Sequence, residues 1–274
     1  MISYIGGKSK IGCWIRNFIP KDIDTYVEPF SGMFWLFFKL EKPKYKNLKT
    51  VVYNDVNPLN VNLFLCLKDY KRLWEQTQNT PVEDKELFNK CKADIFNTEF
   101  LLDMDNPNFD VAFKYAYVLS QLWSGTDPKR AKLIEKGGNT GKDSVYVSKF
   151  EIFRKKLIDP KWQKYLESIT NIENLDFEDV IKKYDSVNTY IYLDPPYKGT
   201  ENYYSNCNFT EKDHQRLANV LKGIKGSFSL SYYYFDKLEE LFPKDKYNWV
   251  SKDFHKNAMA KPGKEQSKGT ELLI

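Results

Sequence analysis

The tetrapeptide Asp194-Pro195-Pro196-Tyr197 directly follows the apolar run Tyr190-Ile191-Tyr192-Leu193, so a carboxylate and a phenol ring stand at the exit of a short buried strand. Two prolines fix φ, remove backbone donors and prevent either a strand or a helix from continuing, which leaves their carbonyls as free acceptors. In open α/β sheets, ligands bind where strands end at the carboxyl edge. A carboxylate, a rigid bare carbonyl and a ring able to stack together fit the gripping of an exocyclic amine on a flat heterocycle. The competing reading is a structural loop, with Asp194 capping a turn and Tyr197 filling a core. Double proline after a buried strand is an uncommon way to build one.

Three further groups carry chemistry. Glu28-Pro29-Phe30-Ser31-Gly32 ends a first strand and is expected to open a helix over the apolar run Met33 to Leu40. That is the position at which α/β proteins bind nucleotides through backbone amides and the positive helix end; an ordinary Pro/Gly turn is the plainer alternative. Asn54-Asp55 ends a second strand, where an acid can grip a ribose diol or cap the helix that follows. Tyr4-Ile5-Gly6-Gly7-Lys8 carries a glycine pair and a lysine. Gly7-Lys8-Ser9 matches the end of a phosphate loop, but the upstream glycine and strand are missing, which argues against nucleotide hydrolysis. A lysine here can instead pair with a ligand carboxylate.

The elements that must position these groups read as alternating strand and helix at both ends of the chain. Strands are expected at Thr25 to Phe30, Thr50 to Asp55, Ile169 to Phe177, Tyr190 to Leu193, Gly226 to Tyr233, Tyr247 to Phe254 and Thr270 to Ile274, and a helix at Val56 to Tyr70 with Leu59, Leu63 and Leu67 at helical spacing. This pattern predicts an α/β fold with a mostly parallel, seven-stranded sheet covered on both faces. Residues 71–164 have little strand character and read as an inserted, smaller helical domain between a first part at 1–70 and a second part at 165–274. Its second half is turn-rich, then cationic: Lys129, Arg130, Lys142, Lys149 and Arg154 are candidate phosphate contacts. A lysine-rich helix over Ser148 to Leu157 is otherwise a solvated face.

The 274 residues, 16% of them aromatic, can bury a substantial core and argue against disorder. No apolar segment approaches the roughly 20 residues needed to cross a bilayer. Met1 to Lys8 lacks a charged stretch leading into an apolar one, so no signal peptide is read and an intracellular, cytoplasmic setting is expected. Cys13, Cys66, Cys91 and Cys207 are widely separated and only His214 and His255 could complete a cluster, so no metal site is expected. Net charge is +5, which permits a polyanionic partner without demanding one.

Taken in order, Tyr-x-Gly-Gly-Lys, Glu-Pro-Phe-x-Gly, Asn-Asp, a central insertion and Asp-Pro-Pro-Tyr resemble the Dam-like DNA adenine methyltransferases. The resemblance covers about the first seventy residues and most of the last hundred, including Phe209 to His214 and Phe228 to Ser231. It implies a Rossmann-like methyltransferase fold, S-adenosyl-L-methionine as cofactor, and methyl transfer to the 6-amino group of an adenine flipped out of double-stranded DNA. It places Tyr4, Gly7, Lys8, Glu28, Phe30, Gly32, Asp55 and Asp194 around the cofactor, and Asp176 and Phe177 at its adenine. No obligate protein partner and no membrane is implied. In this reading Asp194 accepts one hydrogen of the amine and the Pro195 carbonyl the other, while Tyr197 stacks on the base, with Tyr204 and Phe209 as walls. The alternatives are a same-fold enzyme acting on cytosine, RNA or a protein amide, and an inactive DNA-binding relative. One departure stands out: Phe34 occupies a position where the family has a small residue, and its ring either crowds the methionine end or packs the helix onto the sheet.

Overall fold

The computed structural model describes residues 7–8, 11–97, 99–122, 127–129, 148–201, 209–255 and 268–274. In chain order its helices and strands are α1 (Gly12–Ile15), β1 (Thr25–Glu28), β2 (Thr50–Asn54), α2 (Pro58–Lys68), α3 (Tyr70–Thr77), α4 (Lys85–Phe96), α5 (Phe109–Ser120), α6 (Lys149–Leu157), α7 (Pro160–Glu167), β3 (Asn171–Glu173), α8 (Phe177–Tyr184), β4 (Thr189–Leu193), α9 (Glu211–Leu221), β5 (Ser227–Tyr232), α10 (Leu238–Leu241), β6 (Val250–His255) and β7 (Lys268–Leu273). Seven strands form one sheet in the order β3-β2-β1-β4-β5-β7-β6. The pairs β1/β2, β1/β4 and β4/β5 are parallel, whereas β7 runs antiparallel to both β5 and β6. The expected α/β class and the mostly parallel seven-stranded sheet are both found.

The strand order reverses at β1. From β1 the chain moves outward to β2, and β4 returns to the other side of β1, so the carboxyl ends of β1 and β4 lie side by side. Such a switch point opens a crevice in which ligands bind. β4 itself is buried at every position, as its Thr-Tyr-Ile-Tyr-Leu sequence requires of a central parallel strand.

Two compact units arise by proximity. One contains the described residues of Asn57–Asn174; the other is built from Lys8–Val56 and Leu175–Ile274. In the first, Asn57 caps α2 by accepting the Leu59 N–H with Pro58 at the first helical position, and Leu59, Leu63 and Leu67 are buried as their spacing predicts. In the second, Asp213 accepts the Thr210 backbone N–H at 2.8 Å, half of a capping box that starts α9.

Two expected elements differ. No α-helix spans Met33 to Leu40: the segment is turns followed by a single 3-10 turn at Phe37–Lys39. Gly32 at φ 49° and Phe34 at φ 55° both sit in the left-handed region, which a helix cannot tolerate, and the Phe37 N–H is taken by the Glu28 carboxyl at 3.1 Å. The strand expected over Ile169 to Phe177 is confined to β3. Asn54 takes both backbone groups of Leu175, and Asp176 turns to cap α8 by accepting the Glu178 N–H.

Candidate active site

Asp194 leaves β4 with its side chain 19% exposed and one oxygen committed. Asp194 Oδ1 lies 2.9 Å from Lys8 Nζ and accepts from the Tyr197 hydroxyl at 3.0 Å. Among the described residues none donates to Oδ2 or to the Pro195 carbonyl. Lys8 Nζ also lies 3.1 Å from Glu271 Oε1 and donates to the Tyr197 oxygen at 2.6 Å, and Tyr197 is 2.5 Å from Glu271 Oε1. One ammonium, two carboxyl groups and one phenol thus share a buried cluster with more carboxyl than ammonium charge. Burial pushes the Asp194 carboxyl up to about 6; Lys8 pulls it down and Glu271 pushes it up again. Burial pulls on the Lys8 ammonium in the other direction, but Asp194 and Glu271 together overcome it and hold the proton more tightly than usual.

The neighbouring exit, from β1, is tied by side chains rather than by a helix. Ser31 Oγ donates to the Glu28 carbonyl at 2.7 Å, Asn54 Nδ2 to the Pro29 carbonyl at 2.8 Å, and the Gly32 N–H to Asp55 Oδ2 at 2.8 Å. Glu28 is 3% exposed, with Tyr26 OH donating to it at 2.6 Å. Burial raises its carboxyl to about 8, so it is neutral near pH 7. Beyond Pro29 the Phe30 ring, half-buried, stacks on Phe177 at 5.4 Å and meets the edge of Phe209 at 5.8 Å. Phe177 and Phe209 are themselves 5.8 Å apart. Arg216 stands 4.8 Å over Phe177 and pairs with Asp176 at 2.8 Å.

A carboxylate and a bare carbonyl at the end of β4, beside the end of β1 whose Phe30 packs against Phe177 at the start of α8 and Phe209 before α9, can hold a flat amine next to an aromatic ligand. Residues 4–258 match the family of D12 class N6 adenine-specific DNA methyltransferases. The chain belongs to this family. It is 22% identical to Type II methyltransferase M.CviBI of Paramecium bursaria Chlorella virus NC1A over 245 residues, covering 88% of this chain and 85% of that one. It is 26% identical to Type II methyltransferase M.MjaIII of Methanocaldococcus jannaschii, covering 88% of each chain. To Type II methyltransferase M2.HphI of Haemophilus parahaemolyticus it is 25% identical, covering 74% and 67%. Membership makes the chain a DNA adenine methyltransferase and implies a methyl donor of the S-adenosylmethionine type.

The methyltransferase brings together Lys8, Asp194 and Tyr197 in one cluster, Glu28, Gly32 and Asp55 around the β1 turn, and Phe30 with Phe177 in the aromatic trio. Gly7 is exposed; Tyr4 and Tyr204 lie outside the described residues. Lys8 meets protein carboxylates, not an open space awaiting one. Asp55 fixes the Gly32 amide, and the cap of α2 is Asn57, so the capping alternative for Asp55 is not realised. Asp176 caps α8 and Phe177 is 6% exposed, yet the same ring lines the trio. Tyr197 is 8% exposed and edge-on to Tyr233 at 4.6 Å, which directs attention to its hydroxyl rather than to stacking. Phe34 is fully buried, stacked on Phe37 at 4.5 Å and edge-on to Tyr53 at 5.3 Å, so it packs the core.

Of the cationic candidates, Lys129 is exposed, and Arg130 and Lys142 lie outside the described residues. Lys149 donates to the Leu122 carbonyl at 2.6 Å and Arg154 to the Thr77 carbonyl at 3.2 Å, so each also ties backbone within its own unit. Burial holds the Lys149 ammonium below its usual range. The sequence reading missed Glu271 and Arg216. Glu271 had a signal: in a strand, period-2 alternation puts it on the same face as Leu273, which makes it an inward-facing acid.

Proposed function

We propose that this chain transfers a methyl group from S-adenosyl-L-methionine to the 6-amino nitrogen of an adenine in double-stranded DNA, with Asp194 and the Pro195 carbonyl as the groups that hold the amine. The observation that carries this reading is the asymmetry of Asp194: Oδ1 is clamped by Lys8 and Tyr197, while Oδ2 and the adjacent Pro195 carbonyl have no donor among the described residues. Two acceptors side by side match the two hydrogens of a primary aromatic amine.

The residues present suit the cofactor. The half-buried Phe30 ring, backed by Phe177 and Phe209, is the part of the trio that an adenine ring can meet, and Asp55 stands at the end of β2 where a ribose binds in folds of this kind. The surplus of carboxyl over ammonium charge in the Lys8 cluster favours a cation. When bound, the cofactor supplies an electrophilic methyl group on a sulfonium.

The adenine nitrogen is a poor nucleophile because its lone pair is delocalised into the ring. Hydrogen bonds from its two N–H groups to Asp194 Oδ2 and the Pro195 carbonyl draw the nitrogen toward tetrahedral geometry and return the lone pair to it. Above about pH 6 Asp194 is ionised and accepts first the hydrogen bond and then the proton that the nitrogen must release. Extruding the base from the duplex costs a few kcal/mol. The helical unit, with Lys129 and the cations of α6 and α7, is the proposed DNA-contacting part, corresponding to the insertion expected at 71–164. The relatives' designation as Type II methyltransferases supports a place in a restriction–modification pair, and a cytoplasmic location follows from that role.

Incubation with labelled S-adenosyl-L-methionine and unmethylated genomic DNA, then nucleoside analysis, tests this reading. N6-methyladenine is the expected product; N4-methylcytosine, or label on RNA or protein instead, would overturn it.

A further inference from the structure

We propose that Glu271 on β7 is a positioning residue for methyl transfer, holding Lys8 and Tyr197 so that they in turn fix Asp194 Oδ1 and leave Oδ2 facing the amine. The proposal rests on the role given to Asp194 above and adds a residue from a strand that carries none of the motifs.

The geometry is a closed circuit. Glu271 Oε1 is 3.1 Å from Lys8 Nζ and 2.5 Å from the Tyr197 hydroxyl, and both of those groups reach the same oxygen of Asp194, at 2.9 and 3.0 Å. Tyr197 has one hydroxyl proton and two carboxylate neighbours. Because Lys8 donates to the Tyr197 oxygen, that proton points at one of the two acids, and Glu271 at the shorter distance competes for it. A carboxylate that is 1% exposed in the middle of a strand is costly, and an apolar side chain would serve packing at least as well. Its register partner on β6, Lys252, is exposed and stands over the Trp14 ring, so Glu271 is not there to pair across the sheet. What it does contact is the machinery that orients Asp194.

Among the described residues, the charged and titratable groups facing Asp194 are Lys8, Glu271 from β7, Tyr197 after its own strand, Tyr192 within β4, Glu28 from β1 and Tyr233 after β5. Of these, Glu271 raises the Asp194 carboxyl, whereas Lys8 and the Tyr197 hydroxyl lower it. Removing the Glu271 charge therefore lowers the pH at which Asp194 ionises, and removing the Tyr197 hydroxyl raises it. The two changes move the acid limb of the pH–rate profile in opposite directions, a signature that loosened packing does not produce.

The test uses the full chain, unmethylated genomic DNA and labelled methyl donor, with kcat followed across pH beside thermal unfolding. Glu271→Gln is expected to lower kcat by roughly ten- to a hundredfold, leave the DNA concentration for half-maximal rate within about twofold, and shift the acid limb to lower pH. Glu271→Asp recovers part of kcat. Tyr197→Phe, which keeps the ring, lowers kcat and shifts the limb to higher pH. Wild-type kcat and limb in Glu271→Gln overturn the proposal, as does a loss that parallels reduced thermal stability with the limb unmoved. If Glu271→Gln does not fold, Tyr197→Phe decides: an unchanged limb overturns the circuit. Asp194→Ala separates the two levels. Near-wild-type kcat in that variant removes the role of Asp194 itself, whereas the expected large loss alongside an unaffected Glu271→Gln removes only the role of Glu271.

Discussion

Two of the ion clusters among the described residues of the sheet-bearing unit place fewer cations than acids around one centre. Lys8 faces Asp194 and Glu271 with side-chain exposures of 8%, 19% and 2%; Arg216, 42% exposed, faces Asp176, Glu178 and Asp213 at 40%, 27% and 15%. Around Arg216 water solvates the surplus negative charge, and the cluster serves to cap α8 and hold it to α9. Around Lys8 there is little water to do this, so the surplus is expressed in a raised Asp194 carboxyl and a tightly held Lys8 proton. A similar excess of acids over one cation therefore makes a solvated surface staple in one place and a buried cluster with shifted proton affinities in the other; exposure to water is the main difference.

The largest break in this comparison is Lys8→Met, which strands two buried acids. A loss of about 3–5 kcal/mol in urea unfolding is expected, and a loss no larger than that of a surface pair would put the two clusters on the same footing. Next comes Asp194→Ala, expected to reduce kcat by roughly 100- to 1,000-fold while the unfolding midpoint changes little, because Lys8 keeps Glu271 as partner. Single-turnover methylation measures the step directly.

Glu28 sharpens the contrast through pH. Its carboxyl is raised from 4.5 to about 8 by burial, so between those values the folded chain holds a proton that the unfolded chain has released. Stability then falls as pH rises through that window, by up to about 1.4 kcal/mol per pH unit from this group. Glu28→Gln should flatten that slope in denaturant titrations at several pH values, and an unaltered slope would mean that Glu28 is ionised in the fold. The smallest effect belongs to the exposed cluster: Arg216→Gln should cost no more than about 1 kcal/mol, and less at high salt.

Much of the fold was legible because its signals are local. Buried parallel strands advertise themselves as short apolar runs, and Asp194-Pro195-Pro196-Tyr197 stops one of them by covalent geometry alone. Failures came where a local signal met a non-local demand. Met33 to Leu40 is apolar enough for a helix, yet the Glu28 carboxyl, the Asp55 carboxylate and the packing of Phe34 between Phe37 and Tyr53 hold the segment in turns with two left-handed residues. The end of the strand after Ile169 was lost to Asn54, which lies 121 residues from its partner Leu175.

By itself the amino-acid sequence determined which segments become strands, where β4 must stop, and that an acid, two imide carbonyls and a phenol stand at that stop, since φ restriction and apolar periodicity act within a few residues. Tertiary structure alone decided that β4 lies beside β1, that Lys8 and Glu271, at opposite ends of the chain, meet across Tyr197, and that one Asp194 oxygen takes no donor from the described residues. Those choices depend on which strands pair and on how much water each acid loses, and both are properties of the assembled sheet.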